Sequence, residues 1–241
     1  MPDRDQPGTQ PPAEYDPARF PPFAVTCDLV ILTVKPPQTQ VLLVQRKQDP
    51  YGGRWALPGG FVAPDQSLIQ AAQFKLQDKT GLSLDSAHLE QLASFGEPRR
   101  DPRMRVISVA WLAMVAHPEE PVAGPAALDA AWVDVESLDG SPLAFDHDQI
   151  LAAGIERARN RIEYTTLAPI FCEGEFTMGR LRAVYETLWG QPLDPANFNR
   201  KVLASAGFVE ATGHVVPQPK GRPAKTYRQG AAQTLIPPLQ R

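Results

Sequence analysis

The 241-residue chain predicts an α+β fold in two parts, a larger mixed-sheet domain and a smaller helical domain with a β wing. Three observations lead there. Apolar, β-rich runs recur from Val25 to Val135, separated by turn-forming residues, with few helical stretches among them. Two short capped helices followed by a basic hairpin close the chain. The charge divides in the same way. Residues 1–159 hold 14 Lys and Arg against 21 Asp and Glu, a balance of −7, while residues 160–241 hold 10 against 6, a balance of +4. An acidic part joined to a basic part indicates a division of labour, with the basic part suited to nucleic acid.

Residues 1–21 are rich in Pro, Asp, Gln and Arg and lack periodic apolar residues, so a disordered tail is expected. Val25–Val34 and Val41–Arg46 read as strands, and Pro36-Pro37 between them suggests a hairpin-like connection. Asp49–Gly53 is a loop. Trp55-Ala56-Leu57-Pro58 then leads into Gly59-Gly60 and a helix. Ser67 is its N-cap, and Gln70 completes a capping box. Leu68, Ile69, Ala72 and Leu76 make its apolar stripe, and Gly81 closes it as a C′ residue. Leu89–Phe95, Arg105–Val115 and Ala130–Val135 read as further strands, with a charged loop over Glu97–Arg103. Asp146 is positioned to cap a long helix through about Tyr164, with Ile150, Leu151, Ile155, Ala158 and Ile162 on one side.

The second part is marked by caps. Thr177 starts a helix carrying Met178, Leu181, Val184, Tyr185 and Leu188, which Gly190 ends. Asp194 caps the next, with Pro195 suited to its first turn. That helix runs to about Ala206 and stops at Gly207. Phe208-Val209 and His214–Val216 can form strands around a turn. Two such helices joined by a short turn suggest a helix-turn-helix, and the basic hairpin beyond suggests a winged version. Phe198, Val202 and Ala206 define the buried side of the second helix, leaving Asn197, Arg200, Lys201 and Ala204 outward. Asn and Arg are the side chains that reach adenine and guanine edges, and Lys serves phosphates. Asn199 projects toward the apolar side and joins the set only as a further base contact. In the wing, Lys220, Arg222 and Lys225 suit phosphates or the minor groove.

The glycine loop and helix after Pro58 resemble the Nudix box. Gly60, Leu76, Gly81 and Leu82 fall on its frame. The chemistry departs from it. Gln66 stands where the first glutamate belongs and Phe74 where the arginine belongs. Lys75, Asp78 and Lys79 replace the three clustered glutamates. Spaced i, i+3, i+4, these three share one helix face. Two ammonium groups and one carboxylate should repel a divalent cation that wants carboxylate oxygens. No metal, cofactor or catalytic residue is therefore expected. Arg54–Val62 looks like the approach to the box in Nudix proteins acting on ADP-ribose-like dinucleotides, and Asp101–Arg103 with Arg105–Ser108 resembles the same subgroup.

The order of parts resembles the NrtR-type Nudix-related transcriptional regulators. The resemblance rests on Leu143–His147, Glu175–Met178, Leu181 with Val184-Tyr185-Glu186, Asn197–Lys201, and Gly221–Ala224 through Tyr227-Arg228. It covers roughly residues 23–229. It implies a mixed-sheet α/β/α sandwich at residues 22–155 for sensing and dimerisation, a winged helix-turn-helix at 156–230, and a tail at 231–241. It also implies a homodimer on a palindromic double-stranded operator, released or engaged by ADP-ribose or a related NAD-pathway metabolite, with repression the expected outcome. The implied effector site comprises Arg46, Arg54, Trp55, Lys75, Lys79, Arg103 and Arg105, since arginine gives bidentate contacts to phosphate oxygens. The implied DNA contacts are Thr177, Asn197, Asn199, Arg200, Lys201, Lys220, Arg222 and Lys225. The chain departs from the family at Asn199, where a second arginine is expected. Two other readings stand beside this one: an active hydrolase with an accessory domain, and a DNA-binding protein whose first domain only dimerises.

Cys27 and Cys172 lie far apart without metal-ligand spacing, which fits reduced thiols in the cytoplasm. His88, His117, His147 and His214 form no cluster. No apolar run reaches the ~18 residues of a membrane helix, so a cytoplasmic protein without a membrane partner is expected.

Overall fold

The computed structural model describes residues 16–80, 87–138, 140, 142–218 and 222–239, with backbone only for Pro17, Lys79, Thr80 and Ala87. Residues 1–15 of the expected tail, Gly81 and Lys220 lie outside the described residues, as does the Lys79 side chain. The elements run β1 (Ala24–Lys35), β2 (Gln38–Arg46), β3 (Trp55–Ala56), β4 (Gly59–Phe61), α1 (Leu68–Thr80), β5 (Ala87–Phe95), β6 (Val106–Val115), β7 (Ala127–Asp134) and α2 (His147–Tyr164). Then come β8 (Phe176–Thr177), α3 (Met178–Trp189), α4 (Pro195–Ala204), β9 (Val209–Val216) and β10 (Ala224–Gln229).

The first sheet is mixed. β1 runs parallel to β6 and antiparallel to β2 and β4, with β5 beyond β6 and with β3 and β7 on β2. β1 and β6 are buried almost throughout, which is why their sequences read as continuous apolar runs rather than alternating ones. Lys35 pairs with Gln38, so Pro36-Pro37 forms the two-residue hairpin loop. On one face, Ala71, Ala72 and Leu76 of α1 pack on Cys27, Leu29, Ile31 and Trp111. On the other, Ile150, Leu151 and Ala158 of α2 pack with Val30, Leu32 and Leu112. The result is the α/β/α sandwich.

The α1 capping box forms as read. Ser67 N–H donates to Gln70 Oε1 at 2.9 Å and Gln70 N–H to Ser67 Oγ at 3.3 Å. The apolar stripe is rotated, however. Leu68 and Ile69 are exposed, and Ala71 joins Ala72 and Leu76 against the sheet. A stripe drawn from the large apolar residues misses the small one that permits close packing.

The expected domain boundary at 155/156 falls within α2, which continues unbroken to Tyr164. One buried cluster joins β1 and β2 to α2, α3 and α4. Tyr185 of α3 donates its hydroxyl to Ile162 O at 3.0 Å, and its ring meets Trp189 and Phe198 edge-on. Helix α2 thus belongs to both parts. Asp146 stands at its N-cap position but makes no capping bond; its carboxylate is engaged by Arg100 instead.

In the second part, Thr177 accepts from Arg180 N–H and Asp194 from Asn197 N–H, as capping residues do. Helix α4 ends at Ala204, and Ser205 rather than Ala206 completes its buried side. β9 is one strand, not two around a turn. Gly213 with φ +83 is accommodated within it, and β9 pairs β10, which pairs β8. Residues 231–239 are no free tail. Leu235 and Leu239 are buried, and Thr234 pairs with Thr165. Two leucines spaced by four in a proline-containing segment find apolar cover only once the fold has formed. Among the described residues no helix is long and apolar enough to cross a membrane.

Candidate functional site

A cleft of about 520 Å³ opens where β1, β2, β4, α1, the β5–β6 loop and the start of α2 converge. Its floor is a network of buried charges around Asp28. Ser108 Oγ donates to Asp28 Oδ2 at 2.6 Å, Thr26 Oγ1 donates at 3.3 Å, and Arg100 Nη2 lies 3.5 Å away. Arg100 in turn holds Asp146 through two hydrogen bonds of 2.9 and 2.6 Å. A buried carboxylate needs such partners, because its desolvation is otherwise uncompensated. Burial works against the Arg100 charge, but the bond to Asp146, with Asp28 and Asp101 nearby, holds its pKa above the usual value.

Leu57 N–H donates to His147 Nδ1 at 2.9 Å, so the neutral imidazole carries its proton on Nε2, 4.0 Å from Asp28 Oδ1. Burial pushes the His147 pKa down, with Asp28 opposing. Gly59 is required here. A Cβ on it would stand 2.2 Å from Asp28 Oδ1 and 2.7 Å from Cys27 O.

The upper wall is cationic and aromatic. Two guanidiniums approach the Phe145 ring, Arg46 at 4.7 Å and Arg103 at 5.7 Å from its centre. Its backbone sits at φ 57, a left-handed conformation unusual for a phenylalanine. Arg103 also lies 5.3 Å from the Phe61 ring and makes a bidentate pair with Asp101 at 3.0 and 2.7 Å. Burial, and then the charge of Arg103, push the Arg46 pKa down. Two arginines therefore share one ring, with Asp101 offsetting part of their repulsion.

Of the expected effector residues, Arg46, Lys75 and Arg103 line this cleft. Three do not. Arg54 lies over the Tyr51 ring outside the cleft, Arg105 donates to Gly96 O, and half-buried Trp55 packs against the core. The reason is strand alternation and loop course, which a linear motif does not carry. The cleft also contains Asp28, Phe61, Arg100, Asp101, Phe145 and His147, which the sequence reading did not assign to it. Asp28 did carry a signal, as the one carboxylate inside an apolar strand. Arg100 carried none.

The box face does not fit a magnesium site. Lys75 Nζ lies 3.2 Å from where a Cβ on Gly60 would stand, so an ammonium occupies the ground between loop and helix. Among the described residues no group of three His, Cys, Asp or Glu side chains is placed to hold a metal ion. Both cysteines are buried and free. Burial pushes Cys27 up to about 12 and Cys172 up to about 11, which keeps both thiols protonated near neutral pH.

On α4, Asn197 and Arg200 are exposed, with Arg200 Nη2 donating to Asn197 Oδ1 at 2.7 Å, while Asn199 and Lys201 are half-buried. Arg222 and Lys225 are exposed on the wing. The Thr177 hydroxyl accepts from Arg180 N–H, a capping role. Glu175 accepts from Thr212 and Thr226 and lies 3.1 Å from His214 Nδ1, which ties the wing to the segment before α3.

Fold and site together define a cleft walled by cationic and aromatic side chains, fused through a shared helix to a winged helix. The NUDIX domain model matches residues 28–154, and the NrtR DNA-binding winged helix domain model matches residues 171–229. The chain is 36% identical over 218 residues to the ADPR responsive transcriptional repressor NtrR of Acinetobacter baylyi, spanning 90% of this chain and 86% of that one. Among solved structures it resembles Shewanella oneidensis NrtR complexed with a 27mer DNA, at 31% identity and TM-score 0.70, over 85% of this chain and 93% of that one. It also resembles the NUDIX domain of that protein complexed with ADP ribose, at 35% identity and TM-score 0.54, over 61% of this chain and 95% of that one. The chain belongs to the NrtR family of NUDIX-domain proteins with a C-terminal winged helix.

Proposed function

We propose that this chain is a cytoplasmic transcriptional repressor whose first domain binds ADP-ribose, or a related NAD-pathway nucleotide, without hydrolysing it. The observation that carries this reading is Lys75. Its ammonium stands in the cleft where a hydrolase of this family would present a metal-binding glutamate, next to a wall bearing Arg46 and Arg103. Such a site holds a diphosphate by charge and lacks the donors to activate water on a metal. The named activity of the Acinetobacter relative and the two Shewanella complexes support the same assignment.

The division of labour follows: the sheet domain senses and dimerises, the winged helix reads DNA, and α2 (His147–Tyr164) is shared between them. In a homodimer on a palindrome, the two α4 helices would enter major grooves about 34–36 Å apart. Asn197 and Arg200 contact bases, with Asn199 beside them. Thr177, Lys201, Lys220, Arg222 and Lys225 contact the backbone. Ligand acts by binding the DNA-free arrangement more tightly than the DNA-bound one, since only differential affinity shifts an equilibrium. A mobility-shift titration on bound genomic fragments, with and without ADP-ribose, tests this. Unchanged DNA binding at saturating ligand would end the sensing half of the proposal.

A second reading draws on Asp78, which also lines the cleft, and on the NUDIX model match itself. Mg²⁺-dependent cleavage of ADP-ribose that disappears in Asp78→Asn would establish an active hydrolase instead.

A further inference from the structure

The winged-helix family model ends at residue 229, yet the chain beyond it is built into the fold. Three backbone contacts pin it to the end of α2. Leu235 N–H donates to Tyr164 O at 2.9 Å, Leu239 N–H to Glu163 O at 3.0 Å, and Thr166 N–H to Gln233 O at 3.2 Å. The Thr166 hydroxyl also donates to Ala232 O.

The same segment touches the turn that follows α4 and lines a cavity beside α4 itself. After the helix, Ala232 N–H donates to Gly207 O at 2.9 Å and Gly230 N–H to Phe208 O at 2.9 Å. Gly230 comes so close to this turn that a Cβ on it would stand 2.1 Å from Gly207 O, so only glycine permits the contact. Alongside the helix, Leu239 is 2% exposed. It lines a small cavity of about 110 Å³ with Trp189, Asp194, Asn197, Phe198 and Lys201. Ile236, between the two leucines, is 86% exposed, so the inward course of Leu235 and Leu239 is selective rather than a general collapse.

We propose that residues 230–239 form a strap that sets the placement of α4 relative to α2, with Leu239 as its positioning residue. The strap's importance for DNA recognition rests on the reading of α4 as the DNA-contacting helix. The physical reason is pre-organisation. A helix that must present Asn197 and Arg200 to base edges binds weakly if its angle fluctuates, because the ordering cost is then met on binding. Two anchors, one on the turn after α4 and one along its side, restrict that freedom, and both are fixed to the end of α2, the helix whose start forms part of the effector cleft.

The full-length protein tests this with Leu239→Ala, Leu239→Met and a chain ending at Gly230. Three quantities are read: affinity for a genomic fragment bound by the wild type, amide hydrogen exchange in residues 195–204, and ADP-ribose affinity by calorimetry. Leu239→Ala and the shortened chain are expected to lose about tenfold or more in DNA affinity. Exchange in α4 should quicken, ADP-ribose affinity should hold, and Leu239→Met should restore both lost properties. DNA affinity and α4 exchange equal to wild type would overturn the strap. So would parallel losses in ADP-ribose affinity and in exchange throughout the molecule, which would reduce Leu239 to general stability. If wild type binds no DNA while α4 exchange still quickens in Leu239→Ala, the regulator reading falls and the strap's hold on α4 stands.

Discussion

Arg100 and Asp146 grip each other across 46 positions of sequence, through hydrogen bonds of 2.9 and 2.6 Å, with the arginine side chain 3% exposed. The pair fastens the β5–β6 loop to the start of α2, and Arg100 also lies 3.5 Å from Asp28 on β1. Removing the guanidinium strands two carboxylates in a site built around it. Arg100→Ala is expected to destabilise the protein by about 3–5 kcal/mol, the usual cost of breaking a buried ion pair from one side. Chemical denaturation measures this.

His147 is expected to make the protein acid-sensitive. Its pKa is lowered by burial, so the folded state binds its proton less readily than the unfolded chain. Stability is complete above the unfolded imidazole value of ~6.5 and declines as pH falls from there toward the lower folded value. His88 is also lowered by burial, so wild type must be compared with a variant. Asn at 147 keeps an acceptor for Leu57 N–H and does not titrate. The melting temperature of His147→Asn should fall less than that of wild type between about pH 7 and 5; equal slopes would remove His147 as the cause.

Gly154 allows α2 to lie against the sheet. A Cβ there would stand 2.6 Å from Val30 Cγ1 and 2.9 Å from Val30 Cβ. Gly154→Ala should therefore destabilise by about 1–3 kcal/mol through overpacking, despite alanine's better helix propensity. Val30→Ala in the same background should recover part of the loss, which a double-mutant cycle reads directly.

Charge reversal at the box face tests the cleft. Lys75→Glu combined with Lys79→Glu should weaken ADP-ribose binding by at least about tenfold, equivalent to ~1.4 kcal/mol. Calorimetry at two salt concentrations separates loss of attraction from misfolding. Unaltered affinity would show that the lysines do not hold the diphosphate, while leaving the regulator assignment in place.

The two classes of DNA contact should fail differently. Arg200→Ala should cost about 1–3 kcal/mol on the bound operator and relax discrimination at one base position. Lys225→Ala should weaken all sequences alike and reduce the slope of log affinity against log salt by about 0.9. Anisotropy titrations over a salt series distinguish the two.

The sequence by itself determined most of the elements and their kinds, β9 and the short β8 excepted. Ser67 with Gln70, Thr177 and Asp194 announce helix starts through chemistry that reaches no further than three residues. The unbroken apolar runs of β1 and β6 announce strands covered on both faces. The departure from the box at Lys75 and Asp78 is equally local, since spacing alone puts them on one helix face. The tertiary structure decided which of these residues meet. Arg54 and Arg105 sit in the right motifs and outside the cleft, because each points along a path set by neighbouring strands. Arg100 gives no sign in its flanking residues that it will become the partner of Asp28 and Asp146. The same holds for Leu239, which settles beneath α4 from a proline-containing segment that reads as a tail. Propensity and periodicity are properties of adjacent residues. The pairing of a buried charge, and the cover for a late leucine, depend on contacts across tens of residues that exist only when the sheet and its helices have come together.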